Sequence, residues 1–252
     1  MGLHPLVSGF ADVAEDYEYG RPGYSREFVR TLARALELAH GARVADVGAG
    51  TGKLTRELVA AGFDVVAVEP LPGLRERLRA VVPAAEALDG TAEALPLRDA
   101  SVDAVVCADA FHWFDGARAV AEFARVIRRG GGLALTWNLE REDAPAPPWR
   151  SELDALVEGI RPAHPSFTDD QGRRAVDESP SFGELALTEA HRDHDTSRER
   201  LLAHIASMSW VGGLPAAERR DVLSRAEAIL SRHGVKEITL PLRTTIWTAR
   251  RR

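Results

Sequence analysis

One stretch, residues 42–69, constrains the fold more than any other part of this sequence. Its apolar spacing divides it into four parts: a buried strand over 42–47, a turn over 48–52, a helix over 53–61 and a second strand over 65–68. Gly62 predicts the end of the helix, and Glu69 follows the second strand. The pattern predicts a βαβ unit that binds a nucleoside cofactor at the ends of its strands.

The spacing of the glycines in the turn decides between classes of cofactor. A dinucleotide-binding turn has the pattern G-x-G-x-x-G, and here its last position falls on Lys53 or Thr55. A P-loop has Ser or Thr after Gly-Lys, whereas this chain has Leu54. The pattern that remains, Asp-x-Gly-x-Gly-x-Gly over 46–52, suits a cofactor without phosphate. Glycines let the backbone approach such a ligand closely, and Glu69 can accept hydrogen bonds from both ribose hydroxyls.

This pattern resembles motif I of the class I S-adenosylmethionine-dependent methyltransferases (EC 2.1.1.-). Taken alone, the glycines also fit a tight strand-to-helix turn. The resemblance implies that S-adenosylmethionine is bound and released as S-adenosylhomocysteine. It implies a cofactor site that includes Asp46, Gly48, Ala49, Gly50, Glu69 and Pro70.

Residues 1–24 are predicted to be irregular and aromatic. They resemble the Tyr…Arg-Pro-x-Tyr stretch of small-molecule methyltransferases of the type 11 group, which folds over the cofactor as part of a lid. The resemblance implies that Tyr17 and Arg21 reach the methionine end, with Arg21 pairing the cofactor carboxylate. Alternatively, Arg21-Pro22 is a turn with the tyrosines packed beneath it.

A short third strand over about 85–88 leads into a loop that also matches this family. In the family the loop lies along the adenine ring. The resemblance assigns this role to Thr91, to Glu93 and to the backbone of Ala92. The alternative for Glu93 is a solvated residue in a short helix.

A second informative stretch, 109–115, follows the apolar strand 104–108. It resembles the x-Ala-x-His-Trp-Phe segment of the trans-aconitate-methyltransferase-like and type 11 enzymes. His112 is the candidate catalytic residue, as a general base or as an orienting group, with a structural hydrogen-bonding role as the alternative. Asp109 is assigned to the methionine portion of the cofactor.

Four residues are candidates for the substrate side of the site: Phe111, Trp113, Trp137 and Asn138. The first two belong to the aromatic run, and an aromatic face beside a sulfonium is favourable. The other two end a predicted strand on the ligand-facing edge of the sheet. Core packing is the alternative for the aromatic run, which includes Phe114.

The remaining segments are predicted from periodicity and glycine position. They are a helix over 116–128, a glycine cap over 128–132, strands over 133–137, 185–194 and 240–249, and helices over 197–206 and 215–233. The proline-rich stretch 139–183, with one helix over about 148–159, is interpreted as a substrate-side lid. The segment before the strand 133–137 resembles a structural landmark of the same family. No metal site is predicted, since the His and Asp residues near 191–195 are typical of a solvated strand.

Together these elements predict an α/β fold: a Rossmann-like, seven-stranded, mostly parallel sheet with helices on both faces and a partly helical cap. We expect a single methyltransferase domain over 1–252. Its cofactor-binding core spans about 25–138, its N-terminal lid 1–24, and its cap 139–183 together with the helices in 197–233.

Charge and cysteine content exclude several function classes. The formal net charge of −6 gives no broad basic footprint, so no nucleic-acid partner is expected. The single cysteine, Cys107, excludes an internal disulfide framework. No apolar stretch approaches the roughly 20 residues that span a bilayer, and no signal peptide is recognised, so we expect a cytoplasmic monomer or homodimer without membrane contact.

The sequence therefore predicts methyl transfer from S-adenosylmethionine to a small-molecule acceptor, with O-, N- and C-methylation all open. Two alternatives remain at this point. One is a non-catalytic S-adenosylmethionine-binding module, and the other is an RNA methyltransferase.

Overall fold

The computed structural model describes residues 13–141, 146–162 and 170–252, with the backbone alone at Asp170. Its strands are β1 Arg43–Val47, β2 Asp64–Val68, β3 Glu86–Leu88, β4 Val102–Ala108, β5 Ile127–Glu140, β6 Ala186–Ser197 and β7 Glu237–Arg250. Its α-helices are α1 Ala14–Gly20, α2 Arg26–Ala35, α3 Lys53–Ala60, α4 Pro72–Val81, α5 Gly116–Val126, α6 Pro148–Glu158, α7 Asp170–Asp177, α8 Arg198–Ala206, α9 Ser209–Gly212 and α10 Ala216–Arg232.

The seven strands form one sheet in the order β3-β2-β1-β4-β5-β7-β6. The pairs β1–β2, β2–β3, β1–β4 and β4–β5 are all parallel. The chain leaves β1 toward β2 and β3 on one side, and β4 then lies on the other side. The point where the strand order reverses is therefore between β1 and β4, where open parallel sheets bind their ligands. The predicted mostly parallel, Rossmann-like α/β sheet is confirmed.

Alternating side chains of the parallel strands pack into apolar clusters on both faces of the sheet. Ala45 and Val47 of β1 belong to the cluster that contains Val120 and Phe123 of α5. Val44 belongs to the opposite cluster, which receives α2 and α3. Burial on both faces explains why these strands are almost continuously apolar in sequence.

By its internal contacts the chain forms two compact units. Among the described residues, the first unit comprises 13–22, 140–141, 146–162 and 191–243. The second unit comprises 23–139, 170–190 and 244–252. The predicted division into core, lid and cap stays a prediction.

Helices of the first unit pack closely against one another. Gly20, at the end of α1, lies so near α8 that an added Cβ would stand 2.2 Å from the backbone nitrogen of His204. Trp210 is buried, and its Nε1 donates a hydrogen bond to the carbonyl of Val157 (3.3 Å). No helix in the described residues combines the length and the apolar character that crossing a bilayer requires.

Three local predictions are wrong. The stretch 139–183 was predicted to contain one helix, but its described residues contain two, α6 and α7. Residues 14–20 form the helix α1 rather than irregular chain, and Glu15 and Asp16 lie in its first turn, where acidic side chains are favourable. The arginine–glycine run 128–132 is not a glycine cap but part of β5. Gly130 donates a backbone hydrogen bond to Arg251, and Arg251 donates one to Gly131 (3.0 and 2.9 Å), so this run pairs with the end of the chain.

Candidate functional site

The turn between β1 and α3 is shaped by three glycines with positive φ. These angles are +73° at Gly48, +58° at Gly50 and +87° at Gly52. At Gly48 an added Cβ would also lie 2.7 Å from the Cβ of Ala110, which follows β4. Residues with side chains adopt such angles at a cost, so glycine is required here by both backbone angle and space. The amides of Gly48 and Ala49 donate to the carbonyl of Val68 (2.9 and 3.2 Å), which ties the turn to the end of β2.

Asp46 stabilises the same turn from inside the protein. Its side chain is buried and accepts a hydrogen bond from the hydroxyl of Thr55 (2.7 Å), which is also buried in α3. Burial raises the pKa of Asp46 to about 6, although the bonds from Thr55 favour the ionised form. Asp46 therefore links β1 to α3, and its predicted place in the cofactor site stays a prediction.

Glu69 lies at the end of β2, beside the turn, and its side chain is buried. One carboxylate oxygen accepts the amide of Gly50 and the other accepts the amide of Leu71, both at 2.9 Å. Burial raises the pKa of Glu69 to about 7, opposed by these two hydrogen bonds and by the charge of Arg75. A carboxylate oxygen has two lone pairs, so each oxygen keeps one acceptor position beyond its backbone donor. Pro70 contributes its carbonyl to Arg75 (3.0 Å).

The loop after β3 carries the residues that were assigned to adenine. Thr91 pairs with Ala94 in an isolated bridge, and Ala92 between them is buried. Glu93 accepts the backbone amide of Asp115 (2.9 Å), so one of its oxygens is directed to the start of α5. Their predicted role in reading adenine stays a prediction.

Arg125 of α5 anchors this loop, and sequence reasoning missed it. Its guanidinium donates to the carbonyls of Leu95 and Leu97 (3.0 and 2.8 Å) and pairs with Asp99 (2.8 Å). It also pairs with Glu122, which itself accepts the amide of Leu95 (2.9 Å). The loop is therefore fixed to α5 at several points.

Asp109 follows β4 on the other side of the switch point. It is a non-glycine residue with φ +50°, a strained conformation that the surrounding contacts must stabilise. One carboxylate oxygen accepts the amide of Asn138 (2.9 Å), and the other accepts the hydroxyl of Tyr24 (2.6 Å). The side-chain oxygen of Asn138 in turn accepts the hydroxyl of Thr244 (2.6 Å). Tyr24 was not among the predicted site residues; its place in the Arg-Pro-x-Tyr stretch was the signal for it.

The aromatic run after Asp109 forms a 3-10 turn over Phe111–Trp113. Phe111 is buried and packs against Phe123 and Phe114 (ring centroids 6.3 and 5.8 Å apart). Trp137 is buried in the same cluster. Because Phe111 and Trp137 are both buried, their exposure does not support a substrate-lining role, and that role stays a prediction. His112 is also buried, with its ring 4.9 Å from that of the partly exposed Trp113.

Tyr17 and Arg21 lie in the first unit, on and just after α1. The guanidinium of Arg21 lies over the ring of Tyr17, 5.3 Å from its centroid. Arg21 also donates to the hydroxyl and the carbonyl of Ser207 (3.1 and 3.3 Å). The described contacts of both residues therefore lie within that unit. Their assignment to a cofactor's methionine end stays a prediction.

Comparison with known proteins matches this part of the chain to one family. A family model described as a methyltransferase domain matches residues 45–135, which include the turn, Glu69 and Asp109. An uncharacterized methyltransferase of Mycobacterium tuberculosis is 39% identical over 224 residues, which cover 89% of this chain and 86% of the relative. A malonyl-[acyl-carrier protein] O-methyltransferase of Methylococcus capsulatus is 32% identical over 205 residues, covering 79% and 70%.

Among solved structures, a protein assigned as a type II methyltransferase from Anaeromyxobacter dehalogenans has the same fold. The two superpose with a TM-score of 0.65 and 28% sequence identity, over 92% of this chain and 97% of that one. The similarity in sequence and in structure therefore extends over most of the chain.

Proposed function

The chain belongs to the S-adenosylmethionine-dependent methyltransferase family, and from this premise we propose that it transfers the methyl group to a small-molecule acceptor. The family implies use of S-adenosylmethionine. The proposal adds where the cofactor is held and which class of molecule is methylated.

The observation that carries the proposal is the pairing of Glu69 with the glycine turn. The carboxylate is held by one backbone amide from each side, and each of its oxygens keeps a free acceptor position. Two vicinal ribose hydroxyls are donors with the matching spacing for such a group. The residues present therefore fit an adenosyl ligand. In this proposal Glu69 binds the ribose, the backbone of the turn at Gly48 and Gly50 lies against the ligand, and the loop at 91–93 lies along the base.

When bound, S-adenosylmethionine supplies a methyl group that is already activated by its sulfonium. The chain's own residues then need chiefly to hold the cofactor, align the acceptor and exclude water. Burial of Asp46, Glu69 and His112 at the carboxyl ends of β1, β2 and β4 is consistent with such a site.

Two features support a small molecule as acceptor. The net charge of −6 offers no electrostatic footprint for nucleic acid. Trp113, whose ring is partly exposed, comes shortly after Asp109 in the chain. Asp109 lies at the switch point, where an acceptor would approach the cofactor. The relative named for O-methylation of a malonyl group makes oxygen the first acceptor atom to test.

The first experiment measures binding of S-adenosylhomocysteine by calorimetry. We expect the wild-type protein to bind it and Glu69→Ala to weaken binding by about 100-fold, since a buried, charge-assisted bidentate contact is lost. Glu86→Ala is the control, because Glu86 is an exposed carboxylate of β3 that pairs with Arg43 (3.0 Å). Unchanged affinity in Glu69→Ala would remove the ribose assignment. A screen of small acids, alcohols and amines with labelled methyl donor then separates an enzyme from a non-catalytic binding module.

His112 is proposed as the group that handles the acceptor's proton when the acceptor is an alcohol or phenol. His112→Gln should then lower turnover by at least about 100-fold and leave S-adenosylhomocysteine affinity within about twofold. Turnover equal to that of the wild type would assign His112 to packing against Trp113.

A further inference from the structure

Arg75 connects three segments of the chain beside the candidate cofactor site. Its side chain lies in α4 and is only 11% exposed. One guanidinium nitrogen, Nη1, donates to the backbone carbonyls of Glu69 and Pro70 (2.7 and 3.0 Å). The same nitrogen lies 3.2 Å from the carboxylate of Asp89, which directly follows β3. One largely buried guanidinium therefore ties α4 to the loops that follow β2 and β3.

The contacts of Arg75 leave acceptor positions on the carboxylate of Glu69. The guanidinium is bonded to the backbone of Glu69, whereas the two carboxylate oxygens accept the amides of Gly50 and Leu71. A guanidinium that paired directly with these oxygens would use the lone pairs that ribose hydroxyls need. Because it is bonded to the backbone instead, Arg75 brings a positive charge close to the carboxylate without taking those positions.

The charges around Glu69 act on its ionisation with opposite signs. Burial raises the pKa of Glu69 to about 7, while the two backbone hydrogen bonds and the charge of Arg75, from α4, lower it. The carboxylate of Asp46, from β1, raises the pKa further. Asp89 is mostly exposed, so water screens its opposing effect on Arg75. Arg75 therefore favours the ionised form of Glu69, which is the form that accepts two ribose hydroxyls.

We propose that Arg75 is a positioning residue that acts through Glu69: it holds the end of β2 in place and keeps the carboxylate ionised for the ribose hydroxyls. The inference rests on the proposed function, since it assumes that Glu69 binds the ribose of an adenosyl ligand. It adds a residue that sets the pH range over which the cofactor binds.

The test is the pH dependence of S-adenosylhomocysteine binding in Arg75→Gln, measured by calorimetry. Loss of the positive charge should raise the midpoint of this dependence by about one pH unit. At pH 7 the ionised fraction of Glu69 then falls from about one half to about one tenth, so affinity falls about fivefold. Proton release per bound ligand rises from about 0.5 to about 0.9, which buffers of different ionisation enthalpy report. An unchanged midpoint overturns the proposal, because loss of a merely structural contact lowers affinity equally at every pH.

Arg79→Gln is the matched control for this variant. Arg79 lies one turn further along α4 and donates to the backbone carbonyl of Ala87 in β3 (2.9 Å), but its side chain is exposed. The substitution removes the same charge from the same helix and should leave the midpoint within about 0.2 pH unit of the wild type. The ammonium group of the ligand titrates in the same way in every variant, so it does not affect the comparison. An equal rise in Arg79→Gln would mean that general loss of positive charge causes the effect, against the proposal.

Arg75→Lys separates the charge of this side chain from its contacts. The ammonium keeps the charge, so the midpoint should stay within about 0.3 pH unit of the wild type. It lacks the planar fork of the guanidinium, so affinity at about pH 8.5, where Glu69 is ionised, should fall about threefold.

If Arg75→Gln does not fold, as judged by circular dichroism and thermal melting, Arg75→Lys decides. A midpoint that rises by about one pH unit in that variant, or an affinity at about pH 8.5 equal to that of the wild type, overturns the proposal. Two results in the wild type have a different meaning. Absence of S-adenosylhomocysteine binding would refute the proposed function, and binding that does not depend on pH would refute the assignment of Glu69 to the ribose.

Discussion

Two turns face each other across the β1–β4 switch point, and each contains a residue with positive φ that is accommodated in a different way. The turn after β1 has φ +73° at Gly48 and no side chain there. The turn after β4 has φ +50° at Asp109 and keeps a side chain, whose oxygens accept two hydrogen bonds. In the first turn, Gly48 has no side chain, so Ala110 can approach its backbone closely. The second uses a polar side chain to stabilise a strained residue, and so places a charge at the same point.

The largest expected effect is a loss of stability caused by a substitution in the first turn. Gly48→Ala introduces both an unfavourable φ and a Cβ 2.7 Å from that of Ala110, so we expect a loss of about 2–4 kcal/mol in the free energy of unfolding. Gly130→Ala is the matched control, because its φ of +75° is nearly the same but no atom lies within 4 Å of the added Cβ. That variant should lose about 1 kcal/mol. Equal losses in urea denaturation would show that contact with Ala110 has no role.

The next effect is a pH dependence of ligand binding, which we assign to Glu69, beside the first turn, and not to Asp109 in the second. Ribose hydroxyls bind the ionised form of Glu69, whose pKa is raised to about 7, so binding releases a proton. Affinity for S-adenosylhomocysteine should therefore rise about tenfold from pH 6 to pH 8 and then level. Asp109→Asn should keep this dependence, whereas Glu69→Gln should lose it. Calorimetry in buffers of different ionisation enthalpy checks the proton release, and a flat profile in the wild type would contradict the assignment.

The same shift predicts the opposite trend for the unliganded protein. Because the folded-state pKa of Glu69 lies above its usual value of 4.5, its protonated form is favoured on folding. This contribution to stability is present below about pH 4.5 and is lost as the pH rises through about 7. Urea denaturation of the wild type and Glu69→Gln over this range measures the difference between them.

The smallest expected effect concerns strain in the second turn. Asp109→Gly and Asp109→Ala both remove the bonds to Tyr24 and Asn138, but only glycine relieves the positive φ. We expect the alanine variant to be less stable than the glycine variant by about 1 kcal/mol in urea denaturation. The reverse order would mean that the turn changes its backbone conformation once the side chain is removed.

The same comparison explains what could be predicted from the sequence. The glycine turn and Glu69 were found because they are close in the chain and their spacing follows directly from the geometry of a βαβ unit. The Tyr24–Asp109 bond joins residues 85 positions apart, and no local pattern specifies it. The short helix α1 was missed because its stability comes from packing against α8, which propensity does not reveal.

The aromatic residues illustrate a different limit. Phe111 and Trp137 were placed correctly near the carboxyl ends of β4 and β5, but their position along a strand does not determine their exposure. Both are buried in the cluster that contains Phe123 and Leu135. Large aromatic side chains bury the same area whether they pack on a neighbouring helix or on a ligand, so sequence alone does not separate these cases.

Arg125 has a consequence for the proposed contact between the loop after β3 and the base of an adenosyl ligand. Its bonds to Leu95, Leu97 and Asp99 order the loop after β3 as part of folding itself. The conformational entropy of that segment is therefore lost before any ligand arrives, and association there carries only a small ordering cost. A preorganised loop of this kind selects its ligand by shape, because it has few alternative conformations with which to accommodate a different ring.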